Sequence, residues 1–258
     1  MKYYILTDLE GPAGVATWDQ TRVDKSPEKS VAMRFLTAEV NACIDGILDE
    51  DPGAEIVVLD GHGSGGIDME RIHPRAQVIW GKGHRLPNGM DESFDALLFV
   101  GQHAMAGTPD APLCHTYSSL HVEYYKLNGQ YIGEFGCRAL LAGSFGVPTI
   151  FLAGDDKACQ EAEAFIPGIV TVATKIGMGI ELALHLSPEE SCRRIRRAAA
   201  EAVQKRDQIP PVVWDPPYEL EIRVQEGRSV EGYLRRGAEP LDERTCRFRV
   251  DSLLKLPI

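Results

Sequence analysis

The sequence predicts an α/β fold: a mostly parallel sheet flanked by helices, with a smaller α+β part at the C-terminal end. Three observations predict it. The first sixty residues read strand, helix, strand, which is the βαβ unit of a parallel sheet. Short apolar runs without alternation recur near residues 56–59, 95–101 and 147–153, as in strands buried on both faces. The runs Tyr218–Val224 and Thr245–Val250 alternate instead, as half-exposed antiparallel strands do.

Tyr3-Tyr4-Ile5-Leu6 forms the first strand and runs into Thr7-Asp8-Leu9-Glu10-Gly11. Alternate side chains of a strand share a face, so Asp8 and Glu10 point the same way. At the C-terminal end of a strand in an α/β sheet, that direction is the ligand crevice. Two adjacent carboxylates repel unless a cation or a shared proton lies between them. From these two residues alone, a helix cap, a magnesium site and a proton-sharing pair all stay open. A loop without clear period covers residues 12–29. An amphipathic helix follows from Val31 to Asp49, with Phe35, Leu36, Val40, Cys43, Ile44 and Ile47 at three- and four-residue steps. Asp51-Pro52-Gly53 ends it.

The next strand, Glu55–Asp60, leads into Asp60-Gly61-His62-Gly63-Ser64-Gly65-Gly66. Its glycines allow close backbone approach, but neither phosphate-binding glycine fingerprint is there. His62 suggests ligation, although a solvated loop histidine would look the same. Ala76–Trp80 is a short strand, and residues 84–93 are a polar loop. Asp95–Gly101 is a buried strand ending at Gln102-His103. Three strands thus end in candidate ligands, and a parallel sheet brings such ends to one edge.

A loop with two prolines leads to His115-Thr116-Tyr117. A hairpin then turns at Asn128-Gly129. Glu134 opens a helix to about Phe145, where an acid also suits the helix dipole. Val147–Ala153 is a strand, and Asp155 after it reads as the N-cap of a helix over 157–165. Ile169–Ala173 is a short strand. Ser187-Pro188-Glu189-Glu190 starts a helix running to about Asp207, and its run Arg193–Arg197 reads as a solvated face. Ile209-Pro210-Pro211 reads as a linker. It divides the chain into an α/β catalytic domain over residues 1–208 and an α+β subdomain over 209–258.

Composition narrows the function. The 258 residues carry a net charge of -11 and no basic stripe, which argues against nucleic acid as a partner. No apolar stretch approaches the ~18–20 residues of a membrane span. The N-terminus does not read as a signal peptide, since Asp8 and Glu10 interrupt its apolar run. Six scattered cysteines without a C-x-x-C motif predict reduced thiols and a cytoplasmic location.

The candidate ligands are Asp8, Glu10, His62, His103 and Glu134. Two imidazoles and three carboxylates exceed the needs of one tetrahedral structural zinc and suit two ions ~3.5–4 Å apart, bridged by a carboxylate. The donor set favours Zn2+, with Mn2+ or Co2+ as substitutes. A water bridging two such ions becomes a hydroxide near neutral pH and can attack a carbonyl. His115 is the candidate for the accompanying proton or oxyanion work; a third-histidine ligand and a plain loop histidine are its other readings.

These segments together resemble the M55 metallopeptidases, the D-aminopeptidase family. The resemblance runs over nearly the whole chain. It is carried by Thr7–Gly11, Thr37–Ala42, Asp60–Gly63, Gly101–Ala104, His115-Thr116, Gly133-Glu134 and Val147–Asp156. It implies two zinc ions per chain, held by Asp8 (bridging), Glu10, His62, His103 and Glu134, with His115 catalytic. It further implies release of N-terminal residues from short peptides, D-alanine peptides above all, by a metal-bridged hydroxide. The family resemblance also implies a homo-oligomer, a decamer of two pentameric rings around a channel. The competing functions are a metallophosphoesterase, which would want basic residues beside the ligands, and a non-catalytic peptide-binding protein, which would want a secretory signal.

Overall fold

The computed structural model describes residues 1–22, 26–81, 83 and 85–258. The expected loops over 12–29 and 84–93 include residues 23–25 and 84, which lie outside the described residues. In chain order the elements are β1 (Lys2–Thr7), α1 (Pro27–Glu50), β2 (Glu55–Asp60), β3 (Ala76–Ile79) and β4 (Ala96–Gln102). Then come the hairpin β5 (Val122–Leu127) and β6 (Gln130–Tyr131), α2 (Glu134–Ser144), β7 (Thr149–Asp155) and α3 (Asp156–Phe165). The chain continues with β8 (Val170–Gly179), β9 (Leu182–His185), α4 (Pro188–Lys205), β10 (Tyr218–Val224), β11 (Glu239–Pro240) and β12 (Thr245–Val250).

Seven strands form the main sheet in the order β3-β2-β1-β4-β7-β8-β9. All its pairings are parallel except that of β8 with β9. β4 and β7 are buried along their whole length, as their unbroken apolar sequences require. The chain winds from β1 outward to β3, then returns to place β4 on the other side of β1. That reversal is a topological switch point, and its crevice opens at the C-terminal ends of β1 and β4.

Helix α1 begins four residues before the expected Val31. Ser26 caps it by accepting the Lys29 amide at 2.9 Å, and Pro27 occupies the first turn. The added turn is mostly polar, so hydrophobic period alone did not show it. Helices α1 and α4 pack on each other, with Gly46 of α1 against the Arg196 backbone of α4. Asp155 caps α3 as expected, accepting from the amides of Lys157 and Ala158.

The five-stranded antiparallel sheet runs β11-β12-β10-β5-β6. β10 alternates half-buried and buried residues along its length, matching its sequence pattern. It pairs with β12 on one side and β5 on the other. Residues 122–131 therefore share a sheet with the C-terminal strands, and this layer draws on both sides of residue 208. Helix α2 joins the layers. Phe135, Ala139 and Ala142 enter the main core, while Cys137, Leu140 and Leu141 enter the core of the second sheet.

β8 runs well past the expected Ala173 and folds back through β9. Its outer half alternates glycine with large apolar residues. Gly177 faces the loop that leads to His115, where a Cβ would lie 2.1 Å from the Asp110 carbonyl oxygen. The amide of Leu113 in the same loop donates to the Ile180 carbonyl at 2.8 Å. The other face shows Ile176, Met178, Leu182 and Leu184, each more than half exposed.

Candidate active site

Beyond Thr7 the chain stays paired with β4. The Asp8 amide donates to the Val100 carbonyl at 3.0 Å, and the Gly11 amide to that of Gly101 at 2.7 Å. This approach demands glycine at 101. Its φ is +82°, and a Cβ there would sit 2.0 Å from the Asp8 carbonyl oxygen. Asp8 and Glu10 are thereby held over the crevice between β1 and β4.

The loop after Glu10 is pinned from two sides. The buried Lys175 ammonium, from β8, donates to the carbonyls of Glu10, Pro12 and Val15. Glu39 of α1 accepts from the Ala13 amide at 2.9 Å and from the Ser191 hydroxyl at 2.7 Å. Burial pushes the lysine down to about 8, despite the pull of Asp155 and Glu39. Burial also pushes the Glu39 carboxyl up to about 7, against its two hydrogen bonds.

All five expected ligands and His115 come together. His62 Nδ1 lies 3.0 Å from Asp8 Oδ1 and 3.2 Å from Glu10 Oε2. His103 Nε2 lies 3.2 Å from Asp8 Oδ2 and 3.5 Å from Glu134 Oε1. The two oxygens of Asp8 therefore face different imidazoles. His115 stacks on His103 with centroids 4.0 Å apart, and its Nε2 is 3.8 Å from Glu134 Oε1. Each of these stacked rings is oriented from behind. His103 Nδ1 donates to the Ala104 carbonyl and His115 Nδ1 to that of Leu113, both at 2.9 Å. In the neutral rings that leaves each Nε2 as the acceptor or ligand atom. Glu134 is fixed by the Tyr117 amide, which donates to Oε1 at 2.6 Å.

The donor set fits a divalent metal. Asp8, Glu10 and His103 are each no more than 6% exposed. Glu10 Oε2 and His103 Nε2 are enclosed, and their close contacts with His62, Asp8 and Glu134 include no hydrogen bond of good geometry. Buried polar atoms are costly without one, and a cation between them would satisfy both. Asp8, Glu10 and His103 offer ligand atoms within 4.8 Å of one another, and so do His103, His115 and Glu134. Oxygen and imidazole nitrogen at this density are zinc donors.

The metal-free electrostatics point the same way. Burial works to push the His62 and His103 imidazoles down, but the carboxylates of Glu10, Asp8 and Glu134 hold both well above 6.5. Burial works upward on Glu134, and the bond and charge of His103 override it, leaving its carboxyl at about 2. His115 differs: burial, then the charge of His103, moves it below its ordinary value. The surrounding carboxylates thus favour positive charge at His62 and His103, whereas the surroundings of His115 favour its neutral form.

A cavity of about 470 Å³ opens beside these groups, with Thr21, Arg22, Ser64, Asn88, Ser118 and Arg138 in its wall. The guanidinium of Arg22 lies 3.4 Å from the Trp18 ring centroid, and its Nε donates to the Ser119 hydroxyl. Sequence reasoning missed Arg22, Arg138 and Lys175. Only Lys175 left a trace, as the lone charge in the otherwise uncharged run Ile169–Ile180.

A family profile for D-aminopeptidases, peptidase family M55, matches residues 1–256. The chain belongs to family M55. The D-aminopeptidase of Bacillus subtilis (strain 168) is 34% identical over 221 residues, spanning 84% of this chain and 78% of that one. A solved structure, the Zn-dependent D-aminopeptidase DppA from Bacillus subtilis, a self-compartmentalizing protease, matches with a TM-score of 0.92 at 30% identity. That match covers 99% of this chain and 93% of the other. The M55 chain is a peptide hydrolase, and its α/β architecture is the DppA fold. Neither a metallophosphoesterase nor a non-catalytic binding protein is favoured.

Proposed function

We propose that this D-aminopeptidase uses two zinc ions per chain to release D-amino-acid residues of the D-alanine type from the N-termini of short peptides. One observation carries the reading: three carboxylates and three imidazoles converge around the enclosed Glu10 Oε2 and His103 Nε2, whose close ion-pair contacts include no hydrogen bond of good geometry. Asp8 would be shared by the two ions, with Glu10 and His62 completing one site and His103 and Glu134 the other. Bound zinc supplies Lewis acidity toward the scissile carbonyl and lowers the pKa of a coordinated water, and Mn2+ or Co2+ could substitute.

His115 handles the proton. Its Nδ1 is committed to the Leu113 carbonyl, and burial keeps the ring neutral, so Nε2 is the atom that accepts a proton and passes it to the leaving amine. The relative's zinc dependence and name support the metal and the substrate stereochemistry. Metal analysis should find two zinc ions per chain, and full activity after exhaustive chelation would sink the mechanism. His115→Ala should keep both ions while turnover falls about 10²- to 10⁴-fold. Loss of zinc together with turnover would make His115 a ligand instead.

The assembly we infer is a homo-oligomer, a decamer of two pentameric rings. Its support is the exposed apolar row Ile176, Met178, Ile180, Leu182 and Leu184 on the β8–β9 hairpin, together with the self-compartmentalizing character of the relative. We place the protein in the cytoplasm. Six free cysteines, four of them buried, fit a reducing compartment. No helix among the described residues is long and apolar enough to cross a membrane.

A further inference from the structure

Arg138 sits on α2 one turn beyond Glu134 and lines the catalytic cavity. It is half-buried and forms no hydrogen bond or ion pair with any described residue. Its guanidinium is 6.0 Å from the Tyr117 ring centroid, too far for close stacking. Glu134, the nearest acid in sequence, is turned away toward His103 and the Tyr117 amide. The cavity's other arginine is engaged, stacked on Trp18 and bonded to Ser119. Asn88 lines the same wall. Its carbonyl accepts the Tyr4 hydroxyl at 2.7 Å, while its side-chain amide has no partner among the described residues.

We propose that Arg138 binds the free α-carboxylate of the peptide substrate, with the Asn88 amide beside it, and so restricts the enzyme to very short peptides with an unblocked C-terminus. This inference rests on the aminopeptidase reading above. Glu134 and Arg138 are four residues apart, about 6 Å along the helix axis. One extended residue spans at most ~3.6 Å. A peptide whose scissile carbonyl lies at the metal ligands therefore puts its terminal carboxylate near Arg138 when one or two residues follow the scissile bond. A guanidinium donates two parallel charge-assisted hydrogen bonds to a carboxylate, a pairing that a neutral C-terminal amide cannot match. A second cavity of about 510 Å³ shares Asn88, Tyr117 and Arg138 with the first, so the arginine stands where a longer peptide would have to pass.

The test compares a D-Ala-D-Ala-type dipeptide with its C-terminal amide, using zinc-loaded wild type, Arg138→Met and Arg138→Lys. Wild type should prefer the free acid by about 10- to 100-fold in kcat/KM, chiefly through KM. In Arg138→Met that preference should collapse toward one, and Arg138→Lys should restore part of it. Thermal midpoint and zinc content establish that each variant is folded and loaded. Wild type that hydrolyses acid and amide equally well overturns the role of Arg138 while leaving the aminopeptidase intact. A variant that keeps the full acid preference overturns it as well. Wild type that hydrolyses neither peptide overturns the substrate reading and this inference with it.

Discussion

Asp8 is the residue on which the centre depends most. Its two oxygens lie 3.0 Å from His62 Nδ1 and 3.2 Å from His103 Nε2, so the one carboxylate reaches toward both halves. Asp8→Ala should leave almost no bound zinc, whereas Glu10→Ala should lose or weaken one ion; equal stoichiometry in the two variants would refute the bridging role. The histidines predict the pH response. In the metal-free protein His62 and His103 are raised above 6.5, so their contribution to stability is fully present below that pH and is lost as pH climbs through the raised values. Zinc must displace those protons, so its affinity should run the opposite way and fall as pH falls. Chemical denaturation of chelated protein and zinc titration, each across pH 5 to 9, check the two signs. These candidate ligands were legible because Asp8, Glu10, His62 and His103 follow the ends of apolar strands and Glu134 opens a helix. Arg138 was not, since a lone arginine inside a helix looks like any solvated one until the fold shows no acid beside it.

At the scale of elements, the centre is built from strand ends and from what pins the loops between them. Gly101 permits the backbone approach that seats Asp8, and its positive φ is closed to most side chains. Gly101→Ala should cost roughly 1–3 kcal/mol in strain and lower zinc occupancy as Asp8 shifts; unaltered stability and zinc content would refute it. Lys175 holds three carbonyls of the loop after Glu10. Lys175→Met should destabilise the fold by about 3 kcal/mol in urea unfolding, since those buried acceptors lose their donor. The regular elements were readable wherever burial gave them a period. The first turn of α1 and the outer half of β8 were not. One is a polar turn set by a Ser-Pro cap, and the other alternates glycine with apolar residues that stay exposed, so no period of burial marks it.

The whole molecule joins a parallel layer, whose reversal at β1 and β4 makes the crevice, to an antiparallel layer stitched on through α2. The alternation in β10 and β12 announced the second layer. Its recruitment of β5 and β6 is a long-range pairing that no local pattern encodes. Assembly belongs to this scale too. Replacing Met178 and Leu184 by glutamate should break the oligomer into smaller species by light scattering, and a variant of unchanged mass would clear the hairpin of any role.

The β8–β9 hairpin has two unlike sides. One shows an apolar row to solvent, and the other touches the loop that orients His115 through Gly177 against Asp110 and Ile180 against Leu113. A neighbour pressed on the outer side would brace the inner one. The specific activity should then depend on dilution: below the concentration at which the proposed oligomer comes apart, each chain should turn over more slowly while keeping its zinc. Rate per chain measured over a thousandfold range of protein concentration would register that loss as a sigmoid, and a flat line would mean that the loop holds His115 unaided.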